Sequence, residues 1–259
     1  MTASVVSSAR VERAARIFAE ARASGAGLAA VPADIELASM DEAYAVQDAT
    51  LQAMDTTAGG WKIGLQLPAG LIQGAPLPAT AVHRSGATLA RGAFIKPGLE
   101  LEIAFVLGRS FDARTGPYAD DVVLQAIDTV HAAIEVTATR FRDWPNVPKL
   151  WQLADLQNNG ALIVGEGTAY DSAYPFVAPA ISFTFDGASI SERTPPANPA
   201  GDPRRLLSWA VNHCVSRGLT LSKGTVLTCG SYTGIHFPTG TGVAKGIIEG
   251  LAPVQVTLS

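Results

Sequence analysis

Two carboxylates on one face of an otherwise apolar strand constrain this chain more than any other feature. The run Leu99-Glu100-Leu101-Glu102-Ile103-Ala104-Phe105-Val106-Leu107 has the length and texture of a buried β-strand. Side chains alternate between faces along a strand, so Glu100 and Glu102 point the same way, roughly 6.6 Å apart along the chain. Ala104 and Val106 continue their face, and Leu99, Leu101, Ile103, Phe105 and Leu107 fill the other. A Glu-x-Glu pair is most often the solvated face of an outer strand. A third acid tips the balance, because Glu135 sits in Ala132-Ala133-Ile134-Glu135-Val136, which would read as core without it. Buried carboxylates that repel one another need a cation to neutralise them. Three oxygen ligands with room for water or substrate suit Mg²⁺ or Mn²⁺. Zinc fits less well, since neither segment holds a Cys and only His131 lies nearby.

The rest of the sequence frames an enzyme-like body. Of its 259 residues, 47% are hydrophobic and only 16% charged, which excludes a disordered chain and leaves enough apolar material for one large core. A net charge of -4 and the lack of any basic stripe exclude a nucleic-acid partner. No apolar run reaches membrane-spanning length. Cys214 and Cys229 form no Cys-x-x-Cys, so free thiols in a reducing cytoplasm are expected.

Helical spacing over residues 8–23 and 40–54, the second behind the N-cap candidate Ser39, marks a helical part over residues 1–58. From Trp61 the texture changes to short β-runs between Gly and Pro, so residues 59–259 are expected to form a β-rich domain. Within it, Ala119 to Val130 reads as a helix, Asp186-Gly187 as a hairpin turn, and Asp202 to Arg217 as a helix ending at Gly218. Strands are expected around Val226, Gly246 and Pro253 to Leu258. Gln66 to Val82 reads as a loop able to act as a lid, and Glu192 to Pro203, with four prolines, as a surface excursion.

Other segments carry possible chemistry. Lys62, between Trp61 and Ile63, is placed to bind a carboxylate or to act as an acid or base, although a snorkelling surface lysine has the same pattern. Arg140 is read as the partner of a core carboxylate. Asp155 opens the polar cluster Asp155-Leu156-Gln157-Asn158-Asn159, a site wall or a plain turn. Gly230-Ser231-Tyr232-Thr233-Gly234 exposes backbone N–H groups beside small hydroxyls and suits a carboxylate.

In this order, Gly60-Trp61-Lys62-Ile63-Gly64-Leu65, Glu100-Leu101-Glu102-Ile103-Ala104, Ala133-Ile134-Glu135-Val136 with Arg140, Ala154-Asp155 and Thr228-Cys229-Gly230-Ser231-Tyr232-Thr233-Gly234 resemble the fumarylacetoacetate hydrolase superfamily. The resemblance is to its branch of 2-keto-4-pentenoate hydratases and 4-oxalocrotonate decarboxylases. It implies an α+β, β-rich fold, a mixed sheet rolled around the site and preceded by a small helical part. It also implies a homo-oligomer whose Mg²⁺ or Mn²⁺ is held by the positions of Glu100, Glu102 and Glu135. The implied reaction is hydration of a small 2-hydroxy-2,4-dienoic or 2-oxo acid from aromatic meta-cleavage, with decarboxylation of an oxalocrotonate-type diacid or hydrolysis of an acylpyruvate as alternatives. Lys62 would handle protons, and Leu65, Asp155, Ser231, Thr233 and Gly234 would bind substrate. The hydratase pattern also implies an acid in the loop after the lysine. This chain has no Asp or Glu between Asp55 and Glu100, and His83 is the expected replacement.

Overall fold

The computed structural model describes residues 2–66, 70–114 and 116–259, with side chains from Ala9 onward. Helices α1 (Thr2–Ser24) and α2 (Met40–Ala53) come first. Ser39 caps α2 by accepting from the Glu42 amide, and Glu42 in return accepts from the amide of Ala38, the residue before the cap, at 2.7 Å. The chain then runs β1 (Ala58–Gln66), β2 (Leu71–Pro78), β3 (Val82–Arg84), β4 (Ala87–Leu89), β5 (Ile95–Leu107), α3 (Asp120–Leu124), β6 (Ile127–Thr139) and α4 (Lys149–Ala154). It continues with β7 (Asn159–Val164), β8 (Thr168–Ala169), β9 (Ile181–Phe185), β10 (Ala188–Ser189), α5 (Leu207–Ser216), β11 (Val226–Ser231), β12 (Gly242–Ile248) and β13 (Val254–Leu258).

These strands make two mixed sheets, one ordered β2-β1-β11-β5-β6-β7-β3 with β8 beside β6, the other β10-β9-β12-β13-β4. The larger sheet curls on itself. Leu77 of β2 and Leu162 of β7, from opposite flanks of the strand order, share one buried cluster with the central Ala104 and Ala133. Only small side chains at the centre let the flanks approach so closely. Cross-strand registers put Lys62, Thr228 and Ala104 in one row, Glu102 opposite Ala133 in a second, and Glu100, Glu135 and Leu162 in a third. Directly opposed residues share a face, so all three glutamates and Lys62 point into the roll. The outer face, with Trp61, Leu101, Phe105 and Ile134, packs into the main core with Val211 and Cys214 of α5 and with Ala244 and Val256 of the second sheet. The N-terminal helices pack through Phe18, whose ring meets Phe141 and Trp151 edge-on at 5.8 Å each.

Several boundaries differ from the sequence expectation. The helix expected over Ala119 to Val130 stops at Leu124, because the β-branched Ile127, Thr129 and Val130 extend β6 along β5. Asp202 to Arg217 divides into a 3₁₀ turn at Pro203–Leu206, capped by Asp202, and the α-helix Leu207–Ser216. Asp186 and Gly187 do form the hairpin turn, both at positive φ (47° and 82°). The Gln66 to Val82 loop is largely β2, paired with β1 from Ala58 to Gln66; its Leu67–Ala69 stretch lies outside the described residues. Nor is Glu192 to Pro203 a free excursion. Asn198 is buried and donates to the carbonyls of Cys229 and Gly230 at 2.9 and 2.8 Å, which straps the segment along β11.

Candidate active site

One oxygen from each of Glu100, Glu102 and Glu135 lies within 4.8 Å of the other two, a spacing that three oxygens around one divalent cation can adopt. Glu102 and Glu135 are buried, and Glu100 opens onto a cavity of about 250 Å³. Burial, then the charges of Glu135 and Glu100, pushes the Glu102 carboxyl up to about 8. Burial and Glu135 push Glu100 up to about 7. Such carboxylates are costly to ionise unless a cation joins them, so the donor set fits a hard divalent metal. Thr228 donates a short hydrogen bond to Glu102 and fixes its orientation.

Lys62 enters from β1 and donates to Glu135 Oε1 at 2.5 Å and to the Gln157 carbonyl at 3.1 Å. Burial works against its charge, but the nearby carboxylates, Glu135 foremost, outweigh it and hold its pKa above the usual lysine value. Lys62 is therefore held as an ammonium. The Gln157 carbonyl reaches it through an unusual turn: Leu156, Gln157 and Asn158 are consecutive left-handed residues with φ of 49°, 50° and 55°. Each such non-glycine residue costs roughly 1–2 kcal/mol. The turn is held by Leu156, fully buried against Leu51 and Ala75, and by the Asn158 amide on the Asp155 carbonyl. Just beyond it, Asn159 donates to Glu135 at 3.3 Å. Strain of this kind concentrates at functional sites.

Ser231 reaches the cavity because β11 carries a bulge between Thr228 and Ser231, with Gly230 at φ 86°. An extra residue in a bulge re-aims the side chains next to it. Arg193 lies beside Ser231 on the cavity wall, its Nη1 donating to the Ser231 carbonyl at 2.6 Å. Nothing in the sequence singles this arginine out. It belongs to the Pro-rich segment, and only the docking of Asn198 brings it in. Leu65 also lines the cavity.

Four of the residues singled out in the sequence stand elsewhere. Thr233 is fully buried beneath Ser231, where its hydroxyl accepts from the Leu101 amide at 3.2 Å; Gly234 comes next at φ 76° and its carbonyl accepts from both hydroxyls. Asp155 is fully buried and taken up by two arginines, accepting from Arg140 Nε at 2.7 Å and Arg22 Nη2 at 3.2 Å. Its carboxylate ties α1 to the sheet instead of facing substrate, which is the structural part expected of Arg140. His83 lines a separate cavity with His131. Val82, its neighbour, is the residue in register with Leu162 and Glu135, so the His83 side chain points to the opposite face.

Comparison with known proteins agrees with this geometry. Residues 72–250 match the family described as fumarylacetoacetate (FAA) hydrolase C-terminal. The chain is 28% identical to a 2-keto-4-pentenoate hydratase of Burkholderia vietnamiensis (strain G4 / LMG 22486), covering 93% of this chain and 94% of the relative. It is 32% identical to the TodF product hydratase of Pseudomonas putida (strain F1), covering 60% of each. Among solved structures, the 4-oxalocrotonate decarboxylase from Pseudomonas putida G7, complexed with magnesium and adipate, shares the fold, with a TM-score of 0.82 at 19% identity over 96% of this chain and 97% of that one. Among the described residues no helix is long and apolar enough to cross a membrane. With a family match over most of its length and the glutamate triad inside the rolled sheet, this chain belongs to the fumarylacetoacetate hydrolase family.

Proposed function

We propose that this protein is a metal-dependent hydratase of a 2-hydroxy-2,4-dienoic acid, working through its 2-oxo tautomer, with Mg²⁺ or Mn²⁺ held by Glu100, Glu102 and Glu135. The observation that carries this reading is the meeting of the three glutamates with one protonated lysine and one arginine in a single cavity. A bound divalent cation supplies a Lewis acid for the 2-oxygen and carboxylate of such an acid. Arg193 offers the substrate carboxylate donors at the cavity wall, since its Nε and Nη2 have no partner among the described residues.

Tautomerisation moves a proton from the 2-hydroxyl to C5; hydration then adds the oxygen of water to C4 and a proton to C3. Lys62 is the ammonium on the cavity wall, fixed by Glu135 and Gln157; it gives a proton to C5 and regains one from the 2-hydroxyl, then gives one to C3 and regains one from the adding water. Decarboxylation of a 2-oxo diacid is a second reading supported by one feature. The β2 residues on the same face as Lys62 are Gln73, Ala75 and Leu77, so that strand offers an amide but no acid to activate water. Incubating the Mg²⁺-loaded protein with 2-hydroxypenta-2,4-dienoate and with 2-oxohex-3-enedioate separates the two by product mass. Gain of water on the first supports the hydratase, loss of CO₂ from the second the decarboxylase, and no turnover of either removes both.

A further inference from the structure

Behind the glutamate cavity lies a second one of about 140 Å³, and the two share Lys62, Glu100, Gln157 and Asn158 as a common wall. Beyond that wall the surroundings change. The far side is formed by Thr137, Trp144, Ile235 and Phe237, with Lys96 beside them. Trp144 and Phe237 face each other at 5.7 Å between ring centroids, and Phe237 is 44% exposed. Gly98 sets this wall. A Cβ there would come within 2.4 Å of Ile235 and 2.6 Å of Thr137, so only glycine lets both side chains close over β5. Lys96 stands at the solvent edge of the chamber. Its side chain is exposed, and its ammonium donates to the Trp144 carbonyl at 2.7 Å. At the junction, the Oδ1 of Asn158 is buried without a partner, ready to accept from a hydroxyl or water midway along a ligand.

We propose that this second chamber receives the tail of the substrate and selects 2-oxo acids whose tail is uncharged and apolar, a short alkyl or aryl group lying against Trp144, Ile235 and Phe237. The inference rests on the reading that a 2-oxo acid head binds at the glutamates, and it favours monoacid substrates over the diacids that a decarboxylase of the oxalocrotonate type requires.

Saturated 2-oxo acids test it without turnover. Binding of 2-oxopropanoate, 2-oxopentanoate, 2-oxohexanoate and 2-oxohexanedioate to the Mg²⁺-loaded protein is measured by calorimetry. Each added methylene should tighten binding by up to about four-fold, and the six-carbon diacid should bind at least about ten-fold more weakly than 2-oxohexanoate. Phe237→Ala should flatten the length dependence, and Phe237→Leu, which keeps apolar area, should restore part of it. Two results overturn the tail assignment while leaving the head reading intact: 2-oxopropanoate binds but affinity ignores chain length, or the diacid equals or exceeds the monoacid. Failure of every acid to bind overturns the head reading, and the tail assignment with it.

Discussion

Replacing Glu102 by Gln should stabilise the metal-free protein while abolishing its metal site. Glu102 is 3% exposed, and its carboxyl is pushed from 4.5 up to about 8, by burial first and then by Glu135 and Glu100. Over that window the folded protein keeps a proton that the unfolded chain has lost, so metal-free stability falls as pH rises from about 4.5 to about 8. At about 1.36 kcal/mol per pH unit, this one group costs about 1 kcal/mol at pH 5.5 and about 4 kcal/mol at pH 7.5. Gln carries no such penalty and its amide oxygen can still accept from Thr228. In EDTA the variant should therefore gain about 2–3 kcal/mol more over wild type at pH 7.5 than at pH 5.5. For a chain of this size that is a difference of roughly 5–10 °C in Tm. Thermal melts followed by circular dichroism at the two pH values, with and without Mg²⁺, read this directly. A variant that melts below wild type at both pH values, or a gap that does not widen with pH, refutes the claim that a buried, uncompensated carboxylate stands here. Added Mg²⁺ should raise the wild-type Tm and leave that of the variant unchanged.

Other residues make separable predictions. Lys62→Ala should lower kcat by about 10²–10⁴-fold, measured by loss of the dienoate absorbance, while Mg²⁺ affinity by calorimetry holds or rises because a competing positive charge is gone. Arg193→Gln should raise KM for the acid substrate by about ten-fold or more, since its guanidinium lines the cavity beside the Ser231 carbonyl; an unchanged KM removes it from substrate binding. Asp155→Asn leaves the buried guanidinium groups of Arg140 and Arg22 without their counter-ion and should cost about 3–5 kcal/mol, a Tm drop of roughly 10 °C in a melt, with kcat/KM per folded molecule preserved.

The glutamate triad was legible because strand alternation is a local rule: Glu100 and Glu102 had to share a face, and apolar neighbours had to bury it. Their meeting with Glu135 and Lys62 depended on registers that no local pattern specifies, such as Lys62 opposite Thr228 and Glu100 opposite Glu135. The same dependence misplaced His83. A single step along β3 separates it from Val82, the residue in the glutamate row, and one step in a strand reverses the face. Asp155 was read as a site wall or a turn because its partners, Arg140 and above all Arg22 on α1, come from 15 and 133 residues away. Arg193 was invisible for a related reason. Proline-rich composition signals a loop, but the buried Asn198 that docks the loop onto β11 is an ordinary residue in sequence. The helix expected through Val130 failed where β-branched residues found a strand partner in β5, a choice made by tertiary pairing and not by periodicity.

Calorimetric titration of the metal-free protein with Mg²⁺ at pH 7.5 tests the central claim most directly. One site per chain is expected, with protons released into the buffer because Glu100 and Glu102 hold protons up to about pH 7 and 8 in the metal-free state. Glu100→Gln and Glu135→Gln should each weaken binding by about ten-fold or more. Absence of saturable Mg²⁺ binding, or binding that both substitutions leave unchanged, contradicts the assignment of the triad as a metal centre.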